Sequence, residues 1–199
     1  MGVGKRAKPR TILSRVTRHA SRARGGRLIL VIGGASSGKS AAALDMAGRG
    51  VARGGARAFV ATGQALDEEM TVRIARHQAS RGSEWKTEEV PVDLAGWFDR
   101  QGRAYRTIVV DCLTLWLSNL REQGVPEPLV PERVSTLLRA IKATAARVVI
   151  VTNELGLGLV PLDASTRQFR DLAGQVNQQI AAEADEVYFI LSGLPVQVK

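Results

Sequence analysis

The stretch of sequence that decides the fold is Leu28–Ser40, LILVIGGASSGKS. Its five apolar residues, Leu28–Ile32, predict a buried β-strand, and the run Gly33–Ser40 matches the pattern G-x-x-x-x-G-K-[ST]. The helix-favouring residues AAALDMA follow directly. A strand, a glycine-rich loop and a helix in this order predict a loop that binds the phosphates of a nucleotide.

The residue types in this loop suit phosphate binding. Glycines let backbone N–H groups face phosphate oxygens, and the helix N-terminus adds the positive end of its dipole. Lys39 would give its charge to the β- and γ-phosphates, and Ser40 would hold Mg²⁺. An ordinary glycine-rich turn is the alternative, which the position between strand and helix disfavours. The predicted phosphate-binding residues are Gly33, Gly34, Ala35, Ser36, Ser37, Gly38, Lys39 and Ser40.

Outside this stretch, apolar strands and helix-length segments alternate along the chain. This alternation predicts right-handed crossovers and a doubly wound α/β fold with a mainly parallel sheet, of the phosphate-loop NTPase (RecA-like) type. The Ser192-Gly193 turn and the run Pro195–Val198 predict a C-terminal β-hairpin with an antiparallel edge strand. The predicted strands are Leu28–Ile32, Arg57–Thr62, Thr107–Asp111, Arg147–Thr152 and Glu186–Leu191, and the predicted helices are about 39–53, 67–81, 131–146 and 165–184.

The segment 121–131, REQGVPEPLVP, is the clearest candidate for a surface connection. It contains Gly124 and three prolines, which disfavour the interior of a helix or strand. Pro131 is suited to start the next helix. No internal repeat and no second domain is recognisable in the chain.

The composition is that of one soluble globular domain: 199 residues, 45% of them hydrophobic and 24% charged. The single cysteine, Cys112, excludes an internal disulfide and is expected to be a small buried residue. No apolar run approaches the ~20 residues that span a bilayer, and the N-terminus lacks the apolar core of a secretory signal. We therefore expect a cytoplasmic protein.

The formal net charge of +9 is concentrated at the start of the chain. Residues 1–27 contain nine basic side chains and no acid, which leaves 19 of the 28 basic residues against 19 acidic ones. We therefore predict a basic flexible leader over residues 1–26 and a single domain over 27–199, which is formally neutral after Arg27. The leader is a solvated appendage or over-long start, an arm that touches nucleic acid or an anionic surface, or an organelle-type presequence.

The strand Thr107–Asp111 ends in a carboxylate, at the position where phosphate-loop NTPases hold the Mg²⁺ shell. Asp111 is therefore the second predicted metal-binding residue beside Ser40. A helix cap or a surface acid is the alternative. After the strand Arg147–Thr152, Glu154 is a candidate acceptor of a substrate proton, because open α/β sheets bind ligands beyond the carboxyl ends of their strands. For Glu154 the alternative is a helix cap or an interface acid.

The predicted helix about 67–81 carries an apolar stripe with a spacing of four residues, formed by Leu66, Met70 and Ile74. His77 comes three residues after Ile74 and so continues the edge of this stripe. On spacing alone, a packed or surface histidine is the simpler interpretation. His19, the other histidine, lies in the basic leader.

The neighbours of His77 favour a catalytic role instead. Arg73 and Arg81 would flank the imidazole one helical turn away on either side, and both would disfavour its protonated form. A neutral imidazole is able to attack phosphorus, and guanidinium groups are able to hold the anionic phosphates. These neighbours therefore favour His77 as a nucleophile that attacks phosphorus.

Taken together, these residues resemble the bifunctional adenosylcobinamide kinase/adenosylcobinamide-phosphate guanylyltransferases of cobalamin biosynthesis, over about residues 28–199. The resemblance implies two reactions with Mg²⁺ near one nucleotide site. Adenosylcobinamide is phosphorylated by a nucleoside triphosphate, ATP or GTP, and GMP is then transferred from GTP to adenosylcobinamide phosphate. It also implies a homo-oligomer. Five motifs in the same order carry it: LILVIGGASSGKS, VATGQALDEEMTVRIARHQASRGSEWKTEE, VVDCLTLWLSNL, VIVTNELGLGLVP and RQFRDLAGQVNQQIAAEADEVYFILSGLPVQVK.

The same resemblance implies roles for individual residues. His77 matches the histidine that becomes guanylylated. One departure is Ser36, where the family often has arginine; this removes one charge but leaves Lys39 and Ser40 intact. Besides the phosphate loop, the residues implied to contact the nucleotide are Ala61, Thr62, Gly63, Gln78, Ala79, Ser80, Arg81, Glu89 and Asp111.

Two alternatives belong to other functional classes. A nucleic-acid-stimulated NTPase would use the basic leader to find its polymer, but the neutral body, with only 5% aromatic residues, disfavours it. A phosphate-loop kinase for another small molecule would share the loop but not the histidine. The last predicted helix is a candidate subunit contact or a solvated amphipathic helix; it carries Arg167, Phe169, Arg170, Asp171 and Asn177.

Overall fold

Seven strands form one sheet in the computed structural model, which describes residues 26–49, 55–65, 68–79 and 82–199. The strand order is β3-β2-β4-β5-β1-β6-β7, in which the first six strands are parallel and β7 is antiparallel to β6. The elements are β1 (Leu28–Gly33), α1 (Lys39–Gly48), β2 (Arg57–Ala61), α2 (Glu68–Ala79), β3 (Trp85–Glu89), α3 (Leu94–Gln101), β4 (Thr107–Asp111), α4 (Leu113–Glu122), α5 (Val130–Lys142), β5 (Arg147–Asn153), α6 (Ala164–Glu183), β6 (Glu186–Leu191) and β7 (Leu194–Gln197).

The sheet is covered on both faces, because successive side chains of a strand point in opposite directions. In β1, Leu28 and Leu30 pack in a cluster with α3, α4, α5 and α6. Ile29 and Val31 pack in a second cluster with α1. This arrangement confirms the predicted doubly wound α/β fold and its antiparallel hairpin. None of the helices in the described part of the chain combines the length and apolarity needed to cross a membrane.

Three elements were not predicted, namely β3, α3 and α4. The strand β3, WKTEE, lies at the edge of the sheet with mostly exposed side chains, so it lacks an apolar run. The helix α3 is short, and its first turn is capped by Asp93, whose side chain accepts from the N–H of Gly96. Both elements are stabilised by their neighbours more than by their own composition.

Several predicted boundaries are wrong by a few residues. The first helix ends at Gly48 instead of 53, because Arg49 adopts an extended backbone. The helix predicted to 146 ends at Lys142, after which the Thr144 hydroxyl donates to the carbonyl of Ile141. The predicted leader, residues 1–26, lies outside the described residues apart from its last position.

The connection predicted over 121–131 is shorter in the structure. Residues 121–122 complete α4, and 127–129 form a 3₁₀ turn. Val130 is buried and begins α5, with Pro131 in its first turn as predicted. The prolines therefore shape the entry to a helix as well as the loop before it.

Candidate functional site

The carboxyl ends of the parallel strands bring several predicted residues to one edge of the sheet. Ala61 pairs with Glu89 on one side and with Asp111 on the other, so these three residues lie at the same level of β2, β3 and β4. On the other half of the sheet, Gly33 at the end of β1 pairs with Asn153 at the end of β5. Both halves of the predicted site therefore open at the same edge.

The phosphate loop has the backbone that its sequence predicts. Gly38 precedes α1 with φ +93°, a conformation that favours glycine, and Ser36 also has a positive φ of 55°. The N–H of Ser37 donates to the carbonyl of Gly34 at 3.4 Å. Lys39 is only 8% exposed, and its ammonium donates to the Gly34 carbonyl. A buried cation and an irregular backbone thus lie at the start of α1.

Ser40 and Asp111 meet across the sheet, with Ser40 Oγ 2.6 Å from Asp111 Oδ2. The strand before Ser40, β1, is not a neighbour of β4, which ends at Asp111, because β5 lies between them. The contact is made because Ser40 stands on α1, which packs against both β4 and β5. Hydroxyl and carboxylate oxygens are donors that suit Mg²⁺. Among the described residues no group of three or more His, Cys, Asp or Glu side chains could hold a metal ion.

Thr62 joins the ends of β2 and β4 through hydrogen bonds to Cys112. It is fully buried, its hydroxyl donates to the carbonyl of Cys112 at 2.7 Å, and it accepts from the N–H of Cys112 at 2.8 Å. The Asn119 side chain donates to the Thr62 carbonyl at 2.8 Å. The hydroxyl of Thr62 therefore faces the protein interior, while its neighbours Ala61 and Gly63 are half-buried.

Cys112, next to Asp111, is buried as predicted. Burial, followed by the negative charge of Asp111, raises the pKa of its thiol to about 11. At neutral pH the thiol is protonated, so Cys112 is not a nucleophile of this site.

The helix predicted to carry His77 is confirmed as α2, Glu68–Ala79. Ile74 of α2 lies near Gly63, two residues after the end of β2, because a Cβ on Gly63 would be 4.0 Å from Ile74 Cδ1. The same Cβ would be 3.3 Å from Leu115 Cδ1 of α4. Gln78 and Glu89 are exposed. The side chains of Met70, Arg73, His77 and Ala79, and residues Leu66, Ser80 and Arg81, lie outside the part of the chain that the structure describes.

Glu154 lies beside the first glycine of the phosphate loop, where its N–H donates to the carbonyl of Gly33 at 2.9 Å. Its half-buried side chain accepts from the N–H of Gly156 at 2.6 Å. The alternative that Glu154 caps a helix is wrong. The next helix, α6, is capped by Asp163, which accepts from the N–H of Thr166 at 2.7 Å.

A buried polar network that the sequence did not predict holds the end of β5. The hydroxyl of Thr152 donates to Asn177 Oδ1 at 2.8 Å, and Asn177 Nδ2 donates to the carbonyl of Asn153 at 3.0 Å. The N–H of Asn153 donates to the hydroxyl of Thr114 at 3.0 Å. Because these bonds join α4, β5 and α6, they fix the backbone that leads into Glu154.

The network corrects one expectation about the last helix. The sequence predicts Asn177 on a helix that is a subunit contact or solvated, but Asn177 is 6% exposed and its side chain is bonded to Thr152 inside the protein. Phe169 also packs partly against that core. Arg167 donates to the carbonyls of Pro161 and Leu162, so it holds the loop that precedes the helix.

Comparison with known proteins covers nearly all of the described chain. A family model described as cobinamide kinase / cobinamide phosphate guanyltransferase matches residues 29–198. The bifunctional adenosylcobalamin biosynthesis protein CobP of Pseudomonas aeruginosa is 42% identical over 170 residues, which are 85% of this chain and 96% of that protein. The bifunctional adenosylcobalamin biosynthesis protein CobU of Salmonella typhimurium is 35% identical over 184 residues, covering 86% and 99%.

The fold is also similar to a solved structure. A KaiC-like protein of the archaeon Pyrococcus horikoshii superimposes with a TM-score of 0.50 and covers 83% of this chain and 71% of its own. At 14% sequence identity, this likeness concerns the fold alone.

Proposed function

The chain belongs to the cobinamide kinase / cobinamide phosphate guanyltransferase family, and on that premise we propose that it catalyses two consecutive reactions. In the first, ATP or GTP phosphorylates the hydroxyl of adenosylcobinamide. In the second, GMP is transferred from GTP to adenosylcobinamide phosphate, which yields adenosylcobinamide-GDP and pyrophosphate. The observation that carries the proposal is the meeting of the phosphate loop, Ser40 and Asp111 at one edge of the sheet.

In the kinase step, the acceptor hydroxyl attacks the γ-phosphorus, the new P–O bond forms, and the bond to the leaving nucleoside diphosphate breaks. The Lys39 ammonium and the N–H groups of the loop stabilise the charge on the phosphates. Ser40 and Asp111 are the residues that would hold Mg²⁺, which neutralises phosphate charge when bound. The short contact between their oxygens fits that role.

Glu154 is the proposed acceptor of the hydroxyl proton. Its support is the position of its backbone, since the N–H of Glu154 donates to the carbonyl of Gly33, the first residue of the loop, while its carboxylate accepts from the N–H of Gly156. The buried bonds of Asn177 and Thr114 hold the preceding residue, Asn153, in place. A base that takes a substrate proton must be held within hydrogen-bond reach of it, and this backbone anchoring supports such a placement.

In the guanylyl transfer, the neutral imidazole of His77 attacks the α-phosphorus of GTP, a P–N bond forms, and pyrophosphate leaves. A phosphate oxygen of adenosylcobinamide phosphate then attacks the same phosphorus, and the P–N bond breaks. Arg73 stands one helical turn before His77 in the sequence, where its charge would disfavour the protonated imidazole. The helix α2 begins at the nucleotide edge, after β2, which is consistent with this role.

The proposal is tested by incubating the purified protein with Mg²⁺ and GTP labelled at the α-phosphate. We expect the wild-type protein to gain one GMP-sized adduct, located on His77 by mass spectrometry. The variant His77→Ala should gain none and should still phosphorylate adenosylcobinamide. The matched control His19→Ala, which removes the leader histidine, should be labelled as the wild type is.

Two outcomes would contradict this division of labour. A His77→Ala protein that still acquires the label would exclude the guanylyl-histidine, and equal loss of both reactions would mean that His77 also serves the kinase step. NTP hydrolysis stimulated by nucleic acid, without any adduct, would support the nucleic-acid-dependent NTPase instead. Phosphorylation of another small molecule without an adduct would support a simple kinase.

Homo-oligomerisation, a cytoplasmic location and the division into a leader and one domain stay predictions. Exposed apolar side chains favour the first of these, because large exposed apolar patches often mark contacts with other proteins. They lie in the loop before α6 and on the C-terminal hairpin, at Leu157, Leu159, Val160, Leu162, Leu191, Leu194, Val196 and Val198.

A further inference from the structure

The turn of the C-terminal hairpin lies against the phosphate loop. Gly193, in the turn between β6 and β7, donates its N–H to the carbonyl of Ser37 at 2.9 Å. The Cα of Gly193 is 3.3 Å from the place where a Cβ on Gly38 would lie. Two backbone segments that are far apart in the sequence therefore touch within the Ser37–Gly38 part of the loop.

This hydrogen bond fixes the orientation of one peptide group. The carbonyl of Ser37 and the N–H of Gly38 belong to the same planar trans peptide, in which they point in opposite directions. When the Ser37 carbonyl is held toward Gly193, the Gly38 N–H is held away from the hairpin. Backbone N–H groups of such a loop are the donors that bind phosphate oxygens.

The other side of Gly38 is fixed as well. Its carbonyl accepts from the N–H of Ala42 at 3.0 Å, which ties it to the first turn of α1. Gly38 is thus held by α1 on one side and, through Ser37, by the hairpin on the other. The orientation of its N–H depends on both attachments.

The hairpin turn has a specific backbone. Ser192 and Gly193 have φ values of 50° and 84°, and Leu191 pairs with Leu194, which makes a two-residue turn with both central residues in the left-handed region. A Cβ on Gly193 would have no atom within 4 Å. A side chain at 193 therefore changes the turn through its backbone preference and not through a clash.

We propose that the Ser192-Gly193 turn is a positioning element for nucleotide binding, which holds the Ser37–Gly38 peptide with its N–H toward the phosphates. This inference rests on the nucleotide binding of the proposed function, but not on either transfer reaction. Gly193 does not touch the substrate in this account. It acts through Ser37.

The test compares Gly193→Ala with a matched control, Gly124→Ala. Gly124 has a φ of +72°, also has no atom within 4 Å of an added Cβ, and lies in the connection after α4. Alanine strains the backbone similarly at both positions, so both variants should lower Tm by a similar few degrees. Only Gly193→Ala should weaken the binding of GTP, by about 3- to 10-fold, which is the range for one neutral hydrogen bond.

A third variant distinguishes the effect of a changed backbone conformation at position 193 from the effect of adding a side chain there. Asparagine tolerates the left-handed region, so Gly193→Asn should bind GTP nearly as the wild type does. In steady state, Gly193→Ala should raise the KM for GTP and leave kcat at saturating GTP nearly unchanged.

Three results would overturn the inference. One is a Gly193→Ala protein whose Tm is lowered but which binds GTP as tightly as Gly124→Ala does. Another is a Gly193→Asn protein that keeps its Tm and loses affinity as far as the alanine variant. A wild-type protein that does not bind GTP would overturn the proposed function first, and this inference with it. Isothermal titration calorimetry with GTP and Mg²⁺ measures the GTP affinity of all of these proteins.

Discussion

The helices α1 and α2 follow the first two strands of the sheet, but they are attached to the protein differently. In α1, Lys39, Ala43, Met46 and Ala47 are buried against β4 and β5. In α2, Ile74 is half-buried, and the other side chains that the structure describes are exposed, namely Glu68, Thr71, Val72, Ala75 and Gln78. The helix α1 therefore has a face buried in the core, whereas Ile74 is the one side chain among those described in α2 that is not exposed.

Under the proposed function, α1 serves phosphate binding and α2 carries the histidine that reacts. Substitutions in α1 act on the packing of the sheet and on the phosphate loop together. Among the side chains of α2 that the structure describes, Ile74 makes the apolar contact, with its Cδ1 4.0 Å from the place where a Cβ on Gly63 would lie. Because alanine has the highest helix propensity, we expect His77→Ala to leave the helical backbone of α2 intact.

The largest expected effect is that of Lys39→Ala. Because Lys39 is buried at the end of the loop, where α1 begins, removal of its ammonium should lower kcat/KM by about 10²–10³-fold in both reactions. The matched control is Lys142→Ala, which removes a surface ammonium paired with Glu183 and should leave both reactions unchanged. Initial rates of each reaction measure the effect. An effect on one reaction alone would show that the two do not share this phosphate site.

The next prediction compares the packing of α1 and α2 through one alanine substitution in each helix. Met46→Ala removes a side chain that is 3% exposed and should lower the free energy of unfolding by about 2–5 kcal/mol. Ile74→Ala removes a half-buried side chain and should cost about 1 kcal/mol. Urea denaturation measures both values. Equal losses would mean that α2 is bound to the core as firmly as α1.

The last effect concerns Cys112, which follows β4, and appears only at alkaline pH. The folded protein keeps the thiol proton up to a pKa of about 11, against 9.0 for an ordinary thiol. Between these pH values the unfolded chain has lost its proton and the folded protein has not, so stability falls as the pH rises. The expected loss across this window is about 2–3 kcal/mol.

The variant Cys112→Ala isolates this contribution, because the other groups that titrate in this range are present in both proteins. Unfolding free energies of the two proteins, measured by urea denaturation from pH 8 to 11, should differ by a constant amount up to pH 9. Above pH 9 the difference should shift against the wild type. A difference that stays constant to pH 11 would mean that the folded thiol titrates normally.

The parts of the fold that were predictable from sequence are those with local patterns. The apolar run of β1, the loop up to Ser40 and the strand ending at Asp111 all have such patterns. The contact of Ser40 with Asp111 agrees with the two predicted metal-binding positions. The polar edge strand β3 and the short helix α3 had no local pattern of comparable strength, because their stability depends on the sheet beside them.

The contacts that surround the phosphate loop were not predictable in the same way. Glu154 and Gly193 reach the loop through the order of strands in the sheet, with β5 and β6 on either side of β1. The buried position of Asn177 likewise depends on how α6 packs across the end of β5. No spacing within one segment contains this information, since each contact joins residues that are distant in the chain.

The hydrogen bond between Ser40 and Asp111 has a consequence for ligand affinity. The bond restricts the rotamers of both side chains. A cation that took both oxygens as ligands would exchange one partner for another without having to immobilise either group. The loss of side-chain entropy would then have occurred during folding, and binding would be stronger by the freedom that the two groups no longer have to give up.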